Sequence, residues 1–163
     1  MTLSPAAKSR LALLATFLVA LVLMVIPGPG WAEPFRPDWV GLVLVYWCMA
    51  APERVGVGTG WTLGLLLDLL YGSLLGQHAF AKTVIAFVTV KLHLKLRMFP
   101  RWQQAVSVLA LLLVNQLLVI WIRGATAQAP QTVLYWMPSV IGMAIWPWLF
   151  VILRDVRRRA QIA

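Results

Sequence analysis

Few side chains in this chain are of types that do chemistry, and their spacing limits what kind. Asp68 stands in a ladder in which every fourth residue is otherwise glycine: Gly56, Gly60, Gly64, Asp68, Gly72 and Gly76. The residues between are mostly apolar, among them Trp61, Leu65, Leu66, Leu67, Leu69 and Leu70. Asp68 is the one acidic residue well inside an apolar run; Glu33, Asp38, Glu53 and Asp155 fall in connections or at run edges. Two carboxylates sharing a proton would be needed for aspartyl-protease chemistry, and a lone one does not supply them. His78 and His93 are the only histidines and are not spaced as metal ligands. Cys48 is the only cysteine, so there is no internal disulfide and no Cys-x-x-Cys pair. No phosphate-binding or dinucleotide-binding glycine motif is present. Asn115 and Gln116 put two amides inside the fifth apolar run. Such amides cross-link helices at about 0.6–2 kcal/mol each, or line a polar ligand pocket shared with Asp68. The residue types therefore favour hydrogen bonding and packing over catalysis. We expect no enzymatic activity, no bound metal and no cofactor.

The elements that must position these residues are membrane helices. The 163-residue chain is 61% apolar and 12% charged, against roughly 45–50% and about 25% in soluble domains. In water each interior glycine of the ladder costs about 1 kcal/mol relative to alanine. In a bilayer, small residues four apart let a second backbone approach closely. A carboxylate there is expensive unless protonated or paired, and it faces protein or a wet cavity. Lys82 and Arg123 are its possible charged partners. The ladder residues Gly60, Gly64, Asp68, Gly72 and Gly76 are thus expected to contact a helix of this chain or of a partner.

Six apolar runs are expected to form spans at about 11–26, 36–52, 57–75, 79–94, 105–122 and 133–153, within one membrane domain covering the whole chain. A crossing needs about 20 residues, so the second run is the weakest. The first resembles a signal peptide but lacks a small-x-small cleavage site, and is read as a retained anchor. With both termini in the cytoplasm, eleven of the fourteen basic residues lie inside; Arg36, Lys82 and Arg123 are the three others. That bias fits the positive-inside rule and requires an even number of spans. The net charge of +9 sits at run ends, against a bilayer, which excludes nucleic acid as the partner.

Prolines 27, 29, 34 and 37 stiffen the first outer loop. Phe35, Arg36, Pro37 and Asp38 at its end are candidates for docking a partner, and Asp38 is also placed to cap the second helix. The strict alternation from Lys91 to Met98 has the period of a strand. An isolated strand leaving a membrane has no partner, so a helix end with snorkelling cations is expected.

Three stretches carry a family resemblance: Phe35-Arg36-Pro37-Asp38-Trp39, Arg54-Val55-Gly56-Val57-Gly58-Thr59-Gly60, and the sequence from Gly64 through Asp68 to Gly72-Ser73-Leu74-Leu75-Gly76. With Trp102-Gln103-Gln104-Ala105 and Trp146-Pro147-Trp148 they resemble the rod shape-determining protein MreD family over nearly the whole chain. The resemblance implies a multi-pass protein of the bacterial inner membrane with no enzymatic activity. It implies a scaffold of the elongation machinery. The partner would be an MreC-like bitopic membrane protein, with indirect links to MreB filaments and to the peptidoglycan polymerase and transpeptidase. The family's fold is similar to the substrate-binding subunits of energy-coupling-factor vitamin transporters. A vitamin-type transporter subunit is therefore the alternative function.

The charge bias makes a direct prediction. An alkaline phosphatase fusion at Ala163 should be inactive, and a fluorescent-protein fusion there should fluoresce. An active phosphatase at that position would overturn the orientation.

Overall fold

The computed structural model describes residues 3–127 and 132–162. Among them the chain is all-helical, with six α-helices and no strand. The helices are α1 (Pro5–Val25), α2 (Trp39–Ala50), α3 (Val57–Tyr71), α4 (Gln77–Met98), α5 (Arg101–Ala125) and α6 (Met137–Arg159). Two short 3-10 turns, Gly30–Phe35 and Val133–Trp136, lead into α2 and α6. Part of the expected outer loop 123–132 lies outside the described residues.

Most helices outrun their apolar runs, because capping and cationic residues extend them beyond the hydrophobic stretch. α1 starts at Pro5 rather than 11: the Ser4 hydroxyl accepts from Ala7 N at 3.2 Å, and proline fits the first turn. α4 continues past 94 to Met98, so the alternating Lys91 to Met98 stretch is helical. α5 extends at both ends, and α6 runs to Arg159 instead of 153. α3 does the opposite and stops at Tyr71, four residues short of 75. Gly72 takes φ +62°, and the amides of Gly72 and Ser73 bond back to Leu69 O and Asp68 O. That is a left-handed helix stop, which glycine adopts without Cβ strain.

α2 is the centre of the bundle. Twelve residues span about 18 Å, too little to cross a bilayer core, yet every residue from Val40 to Ala50 is buried. Residues 36–38 do not extend it; they form the junction that caps it. α1, α4 and α6 pack around it, with α3 and α5 also touching. Three stretches are long and apolar enough to cross a membrane: α1, α5 and Val133–Arg159.

Inside the bundle the indoles are satisfied as well as buried. Trp47 Nε1 donates to Thr16 Oγ1 at 3.0 Å, joining α2 to α1. Trp146 Nε1 donates to Gln104 Oε1 at 3.1 Å, and Gln104 Nε2 donates to Leu96 O at 3.0 Å, joining α6, α5 and α4. Tyr46 meets Trp47 and Phe150 edge-on, at 5.2 and 5.4 Å between ring centroids, a favourable quadrupolar arrangement. Trp148, by contrast, is exposed, as are Trp31, Trp102 and Trp121. At one end of the bundle the Arg54 guanidinium donates to the Ser9 hydroxyl, and Arg101 lies 4.4 Å over the Phe150 ring.

α3 and α4 form the closest helix pair. A Cβ on Gly60 would sit 2.7 Å from Lys82 O, and one on Gly64 would sit 2.5 Å from Ala79 N and His78 O. Both neighbours are backbone and cannot move aside. Gly58 on the outward side meets nothing within 4 Å. Gly64→Leu should therefore prevent recovery of folded protein, exceeding the ~1–3 kcal/mol typical of overpacking. Gly58→Ala should leave the unfolding temperature unchanged or raise it, since alanine favours helix by about 1 kcal/mol. Thermal unfolding in detergent, followed by labelling of the single buried thiol Cys48, measures both; a folded Gly64→Leu of wild-type Tm would contradict the packing.

Candidate functional site, a polar cavity among helix ends

The polar residues singled out in the sequence gather where α1 and α3 end and α2 and α4 begin. Three of these helix ends, those of α1, α2 and α4, meet a charge of the sign the dipole favours. At the C-terminus of α1, Arg36 Nη2 donates to the carbonyls of Leu23 (2.8 Å), Met24 (3.1 Å) and Ile26. At the N-terminus of α2, Asp38 Oδ1 accepts from Gly41 N at 2.9 Å. A Cβ on Gly41 would lie 2.5 Å from Asp38 Oδ2, so that glycine makes room for the cap. The residues read as a docking loop thus have two of their four side chains engaged inside the protein. Phe35 is exposed and Pro37 is buried.

Asp38 also receives Lys82, a lysine only 1% exposed in α4. Lys82 Nζ donates to Asn115 Oδ1 at 3.2 Å as well, and Asn115 Nδ2 lies 3.4 Å from Asp38 Oδ2. The three residues tie α2, α4 and α5 together. Removing one partner of such a pair costs about 3–5 kcal/mol, because the other charge stays buried. The neighbouring amide works separately: Gln116 Nε2 donates to Tyr135 O at 2.6 Å, and its Oε1 accepts from the Ser139 hydroxyl.

Asp68 lies at the end of α3, not in mid-span, and is 1% exposed. Its charged partner is neither Lys82 nor Arg123. Oδ1 accepts from Ser73 Oγ (3.0 Å) and His78 N (2.9 Å), and lies 2.8 Å from His78 Nδ1. Oδ2 accepts from Gly76 N (2.9 Å) and Ala79 N (3.3 Å). The carboxylate thus caps α4 from the preceding helix and closes the turn between them. The ladder divides accordingly. Gly60, Gly64 and Asp68 face α4, whereas Gly72 and Gly76, with φ +62° and +99°, shape the turn. Ser73, His78 and Asp68 have the composition of a catalytic triad without its geometry. Serine and carboxylate both approach Nδ1, whereas a relay needs them on opposite ring nitrogens.

His78 borders a cavity of about 540 Å³, lined also by Arg36, Asp38, Tyr71, Asn115 and Gln116. In the sequence Lys82 was ambiguous in its side of the membrane and a possible partner of Asp68, and His78 had no partner. A lysine within the run 79–94 was the available sign of an intramembrane pair. Asp38 as its acid was concealed, because 44 positions separate Lys82 from Asp38 and only the fold joins them. Among the described residues no cluster of three or more metal-ligating side chains occurs.

The model of the family described as rod shape-determining protein MreD matches residues 8–156. The rod shape-determining protein MreD of Haemophilus influenzae is 30% identical over 154 residues, covering 92% of this chain and 93% of that protein. The chain belongs to the MreD family. No solved structure matches it. MreD proteins are rod shape-determining membrane proteins, and the helices described here carry that family's assignment onto a defined bundle.

In this MreD chain the donors around Asp68 predict a graded series. Asparagine retains one acceptor but turns its NH2 toward amides that also donate. Asp68→Asn should therefore lower the unfolding temperature, Asp68→Leu should lower it further, and Ser73→Ala should have the smallest effect, about 1 kcal/mol. Equal melting of wild type and Asp68→Leu would show that the capping bonds do not hold the hairpin.

Proposed function

We propose that this MreD-family protein is a non-enzymatic scaffold of the bacterial inner membrane, with both termini in the cytoplasm. In this reading it binds the transmembrane helix and membrane-proximal stalk of an MreC-like bitopic protein. Through that partner it connects MreB filaments to the polymerase and transpeptidase that build sidewall peptidoglycan. The observation that carries the reading is the use made of the polar groups. Asp38, Asp68, Lys82, Asn115 and Gln116 all bond to other parts of the chain, which suits a rigid body more than a reaction centre. The glycine ridge is turned inward on α4. The outward face of α3, with Leu66 and Leu69 exposed and Trp61 at its edge, is then the face offered to a partner helix. Gly58 on the same side allows close approach.

The alternative, a substrate-binding subunit of a vitamin-type transporter, is favoured by the cavity alone. Two measurements separate them. The scaffold reading expects a stable binary complex with the bitopic partner in detergent, lost in Gly58→Trp, and rounding of rod-shaped cells on depletion. Rounding without a complex would remove the scaffold mechanism. A chain that purifies alone with a vitamin-sized ligand, and whose loss impairs uptake without changing shape, would establish the transporter reading instead.

A further inference from the structure

We propose that the cavity binds the anionic headgroup of a small amphiphile, a phosphate or carboxylate on an apolar body, with Arg123 as the cation that meets it. The charges around the cavity decide its sign. Asp38 is paired with Lys82, and Asp68 is surrounded by donors from Ser73, His78 and three amides. Glu33 is exposed at the rim, 4.0 Å from Arg36. Arg36 is held by the α1 carbonyls. Arg123 also lines the cavity, and among the described residues no acid lies within ion-pair distance of it. Arg123 is thus a cation with no acid partner, lining a half-open cavity.

The rest of the cavity is built as ligand pockets are built. About 540 Å³ lies within the 300–1,000 Å³ range of small-molecule sites. Its polar groups are fixed before any ligand arrives. Asp68 holds His78 by Nδ1, the Tyr71 hydroxyl donates to Met24 O at 3.3 Å, and Gln116 is anchored at both ends of its amide. A carboxylate oxygen only accepts, so Nδ1 of His78 carries the proton and Nε2 is left for another partner. Met24, Val119 and Pro138 supply an apolar wall on which the body of an amphiphile can lie. A guanidinium suits phosphate or carboxylate because its planar fork matches two oxygens at once.

The inference does not depend on the scaffold reading: loss of the partner complex and loss of the ligand are measured separately. Purified protein in detergent is titrated with dihexanoyl phosphatidic acid, dihexanoyl phosphatidylcholine and glycerol 3-phosphate, and unfolding is followed by labelling of Cys48. The anionic lipid should raise Tm saturably, and phosphatidylcholine should not. A rise with glycerol 3-phosphate alone would support the same site with a free phosphate ester as its source. Arg123→Gln should melt like wild type without ligand and bind the anion about tenfold more weakly, the equivalent of about 1.4 kcal/mol. Arg123→Lys should keep most of the affinity, and Arg123→Glu should lose it. Equal stabilisation by phosphatidylcholine, no stabilisation by any probe, or undiminished binding by Arg123→Gln would overturn the proposal.

Discussion

Asp38 is the point from which the bundle is organised. A carboxylate at the head of a short buried helix has to be neutralised, and three obligations meet on it. It caps α2 through Gly41, it receives Lys82 from α4, and through Lys82 and Asn115 it reaches α5. Two charges taken from water are tolerated only when each finds the other and the remaining hydrogen-bonding sites are filled. The position of α2 along the bundle, its rotation and the registers of α4 and α5 are thereby coupled. Helices that pack by apolar contact alone can slide past one another; these cannot do so without breaking a charged pair.

The same principle repeats around it. Arg36 closes α1, Asp38 opens α2 and Asp68 opens α4, each with the sign that offsets the helix dipole. The two charged residues of one junction, Arg36 and Asp38, thus serve two successive helices of opposite direction. Asp68 serves a helix other than its own, which turns α3 and α4 into one hairpin. Gly60 and Gly64 make that possible by bringing the two backbones together.

The membrane class, the number of helices and the Asp38 cap were legible in the sequence because they depend on local composition and on capping chemistry. The glycine ladder was legible as a contact ridge, but its split into ridge and turn was not. Periodicity of four continues through Gly72 and Gly76, and only the left-handed backbone there marks the helix end. Arg36 read as a surface charge in a stiff loop, and its turn back onto the α1 carbonyls depends on tertiary placement. The cavity was legible only as the alternative that Asn115 and Gln116 line a pocket. Its walls come from segments far apart in the chain, and no spacing rule connects Met24, His78 and Tyr135.

The shortness of α2 has a consequence for how the protein is made. Twelve apolar residues cannot rest across a bilayer alone, yet three of the helices that enclose α2, namely α4, α5 and α6, follow it in the chain. While the ribosome is still delivering them, α2 has only α1 and α3 beside it, and Asp38 has no lysine. The segment must then be sheltered by the insertion machinery or held at the interface until α4 arrives. Lys82, brought by that helix, is the charge whose arrival lets the centre of the bundle settle. The middle of this protein is thus completed only after later segments have been made.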